Sequence, residues 1–165
     1  MILLDTTSAS SWRHTSGLAR VSRRLQEELG SAAASGTWSE LASRACKGDW
    51  ILTPELFSEH ERPGFTAFLD ARPCRVAAIY HDAIPIKLPA ITWPKSVERH
   101  PSYMKLLARF DRIWAVSAAS RARCCPQSSS GLLLFTWCAR NVIAMLSDVT
   151  HASPLACSFV TPAPK

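Results

Sequence analysis

The stretch RVAAIY at residues 75–80, followed directly by His81 and Asp82, decides the fold class of this 165-residue chain. Its apolar residues are consecutive rather than alternating. Continuous runs of this kind occur in parallel sheets that helices cover on both faces. We therefore predict a buried parallel strand over 75–80, with His81 and Asp82 at its carboxyl end.

Shorter apolar runs on both sides of this strand predict its neighbours in the sheet. These runs lie at residues 1–5, 50–53 and 113–116. Between the first two, Leu18, Val21, Leu25 and Leu29 recur at intervals of three and four, which predicts an amphipathic helix that Gly30 ends.

Two more helices are predicted, a short one over 64–69 and one through Tyr103 and Phe110 with Pro101 near its first turn. The three prolines of residues 83–94 predict a loop. Strands that alternate with helices indicate a parallel α/β sheet with right-handed crossovers. The fold class is thus α/β, a Rossmann-like parallel sheet flanked by helices, in residues 1–121.

Residues 122–165 form an atypical tail. From residue 124 onward only Arg140, Asp148 and Lys165 are charged, and no glutamate occurs. Two interpretations stay open: an out-of-frame or otherwise foreign, disordered sequence, and a weakly patterned C-terminal helix and coil.

The net charge of +6 favours an anionic partner, such as an acidic membrane surface or a phosphorylated small molecule. The basic residues of the chain are scattered and form no stripe with aromatic residues, so we predict no nucleic-acid partner.

The first residues lack a basic n-region, which favours a cytoplasmic protein with six reduced cysteines. Because no Cys/His set has zinc-like spacing, no metal site is predicted.

Polar residues follow the predicted strands at their carboxyl ends, where ligands of open parallel sheets bind. They are Asp5, Glu55, His81, Asp82 and Ser117. An imidazole beside a carboxylate can bind sugar hydroxyls or move a proton. The plainer alternative is a loop pair that satisfies backbone groups. The remaining histidines are predicted to be surface residues: His60, His100 and His151.

The loop before the first helix is a candidate anion site. A helix N-terminus offers unpaired N–H groups and a favourable dipole to a phosphate, and Gly17 would allow close approach of its backbone. Thr15 and Ser16 could donate hydroxyls to that anion, although an N-cap is the plainer role for either. No GxGxxG motif follows the first strand, which disfavours a nicotinamide or flavin dinucleotide site.

Four segments, in this order and spacing, resemble the N-terminal domain of the large retaining GT-B glycosyltransferase family (family 4-like, group 1). They are "ILLDTT", "RHTSGLARVSRRL", "RVAAIYHDAIPIKLP" and "FDRIWAVSAAS". The family includes bacterial mannosyl- and other hexosyltransferases of polysaccharide assembly, and the resemblance covers about residues 1–121.

The resemblance implies transfer of a hexose such as mannose from a nucleotide-diphosphate sugar to a saccharide or lipid-linked acceptor, without a metal or other cofactor. In such enzymes the N-terminal domain chiefly holds the acceptor. The implied catalytic residues are His81 and Asp82, near the transferred sugar. Gly17, Thr15 and Ser16 would bind the donor phosphates, and Arg13, His14 and Ser117 would lie at the cleft rim. A protein of this kind is expected in the cytoplasm, peripherally at the inner membrane face.

The sequence departs from the family after Arg123, where nothing resembles a second Rossmann domain. This predicts low or absent catalysis by the chain alone, because one lobe cannot assemble the clamp on a leaving diphosphate. A non-catalytic saccharide- or partner-binding module is the alternative. A nucleotide-sugar epimerase or dehydrogenase is disfavoured by the missing glycine motif.

Overall fold

The computed structural model describes residues 1–9, 17–117, 119 and 120. The predictions for Arg13, His14, Thr15 and Ser16, and for the tail at 122–165, lie outside these described residues.

Five strands form one sheet in which every neighbouring pair is parallel. They are β1 (Ile2–Asp5), β2 (Ala33–Gly36), β3 (Trp50–Thr53), β4 (Arg75–Tyr80) and β5 (Arg112–Ala115). Their order across the sheet is β2-β1-β3-β4-β5. The chain therefore adds β2 on one side of β1 and all later strands on the other side, as in doubly wound α/β folds.

Helices cover both faces of the sheet. They are α1 (Gly17–Leu29), α2 (Trp38–Arg44), α3 (Phe65–Ala71), α4 (Ile84–Lys87) and α5 (Pro94–Leu107). Successive strand residues point to opposite faces, so Leu4 packs with Leu25 of α1, whereas Leu3 packs in the core with Trp38 and Leu107. Burying each such side chain stabilises the fold by about 1.5–3 kcal/mol. The predicted Rossmann-like α/β class is confirmed.

The predicted strands and the first helix agree with the structure, but β2 and α2 were missed. β2 is a short edge strand of alanine, serine and glycine, which has no apolar alternation to reveal it. α2 does carry a signal in its sequence, because Thr37 and Glu40 form a capping box at its start.

Two predictions about prolines were wrong. Residues 83–94 are not a plain loop, since they contain α4 and a 3-10 turn at Pro89–Ile91. Pro85 fits the first turn of α4, where no N–H is needed. Pro101 lies inside α5 rather than near its start, because the helix already begins at Pro94.

Two further features concern the cysteines and the length of the helices. Cys46 and Cys74, the cysteines within the described ranges, are both free thiols. In the part of the chain that the structure describes, every helix is too short or too polar to cross a bilayer.

Candidate functional site

A buried ionic cluster occupies the carboxyl ends of β1 and β3. Asp5, Glu55 and Arg62 are each fully buried, and we call them the Arg62 cluster. Arg62 Nε donates to Asp5 Oδ2 at 2.7 Å, and its Nη2 donates to Glu55 Oε2 at 2.7 Å. The guanidinium also lies 4.7 Å from the ring centroid of Phe57. Hydrogen bonding of this quality is what offsets the cost of burying charges.

The same carboxylates hold the chain that leaves β1. Asp5 Oδ1 accepts from the Thr7 N–H at 3.0 Å, and Glu55 accepts from the N–H groups of Ser8 at 3.0 Å and Ala9 at 2.8 Å. Sequence reasoning placed Asp5 and Glu55 at this edge and missed Arg62. Two buried carboxylates at the ends of adjacent strands need a cation as their partner. The sequence did not reveal which cation, because the loop that carries Arg62 has no periodic pattern.

His81 follows β4 and is fixed by the neighbouring strand end. Its Nε2 lies 2.8 Å from the carbonyl oxygen of Pro54. A carbonyl only accepts, so Nε2 carries the proton and Nδ1 holds the lone pair in the neutral ring. Burial lowers the pKa of His81 below its usual 6.5, against the opposing effects of the Pro54 carbonyl and Asp82. The ring is therefore neutral at pH 7.

Asp82 is partly exposed and uses one of its oxygens locally. Oδ1 accepts from the Ile84 N–H at 2.9 Å, at the start of α4. Within the described ranges Oδ2 makes no hydrogen bond, which leaves an anionic acceptor at the strand end. The backbone roles of His81 and Asp82 match the plainer alternative for this pair, and these bonds use His81 Nε2 and Asp82 Oδ1 but not His81 Nδ1 or Asp82 Oδ2.

Ser117, predicted at the cleft rim, is exposed after β5 and caps a local turn. Its Oγ accepts from the Ser120 N–H at 3.0 Å, and the Ser120 hydroxyl donates to the backbone oxygen of His81. The ends of β4 and β5 are thus connected through Ser120.

A cleft of about 210 Å³ opens over the carboxyl edge of the sheet beside β4. Leu18 of α1, His81 and Asp82 contribute to its wall, and α5 closes the other side with Arg99 and His100. The start of α1 and the end of β4 therefore meet in one cleft.

Gly17 is the first residue of α1 and is exposed. Among the described residues, nothing lies within 4 Å of a Cβ built on it. No acidic residue occupies the first turn of α1, which leaves the positive end of the helix dipole uncompensated by a side chain there.

His100 was predicted to be a surface residue, and this prediction was wrong. It is 3% exposed, on the inner face of α5, because the helix starts earlier than predicted and turns this position toward the sheet. Neither ring nitrogen has a hydrogen-bond partner of good geometry among the described residues, and Arg99 Nε is likewise unpaired. Burial lowers the pKa of His100, against the opposing effect of the Asp82 charge and backbone. His60 is exposed, as predicted, and His151 lies outside the described residues.

The cleft offers hydrogen-bonding and electrostatic chemistry. Among residues 1–9, 17–117, 119 and 120, no three His, Cys, Asp or Glu side chains group in a way that could hold a metal ion. A neutral imidazole, a carboxylate and a helix start suit a ligand with hydroxyl groups and a nearby anion. Comparisons of this chain with protein-family models, curated proteins and solved structures find no significant match.

Proposed function

We propose that residues 1–121 form the acceptor-side lobe of a hexosyltransferase. Its donor is a nucleotide-diphosphate sugar, and its acceptor is a saccharide or a lipid-linked saccharide. The observation that carries this proposal is the shared cleft, where the start of α1 lies with His81 and Asp82. A helix start suits the phosphates of such a donor, and the His–Asp pair suits the hydroxyl groups of a sugar.

The position of the proton on His81 supports hydrogen bonding of this residue to a hydroxyl group. With its Nε2 proton held by Pro54, the neutral ring can accept a hydroxyl proton at Nδ1. Asp82 Oδ2 can accept from a second hydroxyl of the same ring. In a transfer reaction these two groups would orient the sugar, and His81 would hold a proton at Nδ1.

The size of the cleft supports a single sugar ring as its occupant. Its volume of about 210 Å³ is below the roughly 300–1,000 Å³ of sites for drug-sized ligands. A whole nucleotide sugar would not fit there. Its nucleotide would lie outside this cleft, with the diphosphate near Gly17.

The test is a calorimetric titration of the 165-residue chain with a panel of methyl hexosides and nucleotide-diphosphate hexoses. We expect one member of the panel to bind, and His81→Ala to weaken it about tenfold, as for the loss of one hydrogen bond of roughly 1.4 kcal/mol. His60→Ala is the matched control, since His60 is exposed and outside the cleft wall. Equal binding by the wild type and His81→Ala would remove His81 from the site.

A non-catalytic saccharide-binding module is the second candidate. It is favoured by the backbone hydrogen bonds of His81 and Asp82, which give each residue a structural use without catalysis. Saccharide binding without hydrolysis of, or transfer from, any nucleotide sugar would favour this module over the transferase.

A further inference from the structure

The exposed apolar side chains of this chain are concentrated in one segment. Among the described residues six large apolar side chains are exposed, and five of them lie within residues 84–93. We call these five the apolar ridge: Ile84 (43% exposed), Ile86 (49%), Leu88 (50%), Ile91 (80%) and Trp93 (83%). Isolated exposed apolar residues are ordinary, but a contiguous group marks an interaction surface.

The apolar ridge extends from α4 through the 3-10 turn at Pro89–Ile91 to Trp93, which directly precedes α5, at the mouth of the cleft. Ile84, which belongs to the ridge, also contributes to the cleft wall, as do Pro85 and Thr92. A surface that covers the ridge would therefore lie directly beside whatever the cleft binds.

The charged residues within the ridge segment itself are basic, while Asp82 lies directly before it and the exposed Glu98 follows it. Residues 83–95 contain Lys87 and Lys95, both exposed, and no acidic residue. The whole chain carries a net charge of +6. Lysine side chains can lay their carbon stems on an apolar surface while their ammonium groups reach a polar, anionic layer.

We propose that the apolar ridge docks this protein on the surface of an anionic membrane. The isoleucine, leucine and tryptophan side chains would enter the boundary between headgroups and acyl chains, where Trp is favoured. Lys87 and Lys95 would contact the anionic headgroups. The proposal goes beyond the transferase reaction, because vesicle binding can be measured without turnover.

Docking through the ridge would turn the mouth of the cleft toward the bilayer. A sugar attached to a lipid anchor would then reach the cleft from the membrane. This consequence, unlike the docking itself, rests on the proposed function.

A second copy of the chain fits the ridge less well than a membrane. Stable protein interfaces use about 20–30 residues from each partner, whereas the ridge has five side chains. Two such ridges would also bring their lysines together, since both carry the same positive charge.

The test is flotation of the 165-residue chain with vesicles of phosphatidylglycerol and phosphatidylcholine in equal parts. The wild type is expected to float with these vesicles and not with pure phosphatidylcholine. The double variant Ile91→Ser/Trp93→Ser should bind about tenfold more weakly or less. Because both side chains are at least 80% exposed, the far-ultraviolet circular dichroism should be unchanged.

The charge component is tested with a matched pair of variants. Lys87→Glu/Lys95→Glu should lower the partition coefficient at least about fivefold for each lysine. Lys47→Glu/Lys105→Glu changes the net charge equally at exposed positions outside the ridge and should bind much more strongly than the ridge variant. Equal losses in both variants would overturn the proposal in favour of nonspecific attraction by net charge.

Two other outcomes would also overturn docking. One is a wild type that does not float with anionic vesicles. The other is a dimer, seen by sedimentation, that Ile91→Ser/Trp93→Ser dissociates while vesicle binding stays unchanged. Calorimetry of the ridge variants with the saccharide separates the two proposals, because saccharide affinity in solution should not depend on Ile91 or Trp93.

Discussion

The carboxyl ends of β1 and β3 carry charged side chains that bind one another, whereas the wall of the cleft beside β4 includes buried nitrogen atoms without a hydrogen-bond partner among the described residues. In the Arg62 cluster two carboxylates and one guanidinium are fully buried and joined by short hydrogen bonds. Around the cleft, both ring nitrogens of His100 and the Nε of Arg99 lack a partner within the described part of the chain, although Arg99 Nη1 lies 3.3 Å from Glu61 Oε1. The first arrangement is that of a structural element. The second costs stability, and groups that cost stability are concentrated at functional sites.

We expect the largest change in the free energy of unfolding from a substitution in the Arg62 cluster. Arg62→Met leaves two buried carboxylates without a cation, and we expect a loss of about 3–5 kcal/mol in the free energy of unfolding. Chemical denaturation measures it. Arg24→Met is the control, since Arg24 is 67% exposed in its surface ion pairs and its replacement should change stability by less than about 1 kcal/mol. Similar losses in both variants would contradict a structural role for the cluster.

A substitution at His100, in the wall of the cleft, should change the free energy of unfolding less and in the opposite direction. His100→Leu removes two buried nitrogens that have no well-oriented hydrogen-bond partner among the described residues, each of which costs free energy, and gives up one edge contact with Tyr103. The free energy of unfolding at pH 7 should stay the same or rise by up to about 1 kcal/mol. A loss of more than about 2 kcal/mol would show that His100 is a paired core residue after all.

The smallest effect is a dependence of stability on pH. Burial lowers the pKa of His81 and His100 below 6.5, so the unfolded chain binds protons more readily than the folded chain. Stability from these groups is complete above pH 6.5 and is lost as the pH falls below it. Denaturation at pH 7 and at about pH 5.5 should show a decrease in the wild type and a smaller one in His100→Leu. Stability that rises on acidification would contradict this assignment.

Much of the fold could be predicted because β1, β3 and β4 are continuous apolar runs and α1 has a clear helical period. β2 could not be predicted, since its alanine, serine and glycine residues are held by edge pairing with β1 rather than by a pattern of their own. At the site, strand ends located His81 and Asp82 correctly. Arg62 and His100 were missed because their roles depend on burial in three dimensions: Arg62 reaches Asp5 across 57 residues of sequence.

The central claim is that the start of α1 and the end of β4 form one cleft that binds a sugar. Amide chemical shifts of the ¹⁵N-labelled 165-residue chain, followed during titration with the hexoside that binds in calorimetry, test it directly. The account predicts saturable shifts that cluster at Leu18, at residues 80–85 and at residues 99–103. Shifts that cluster at α2 and α3, or that leave Leu18 and His81 unchanged at saturation, would contradict it.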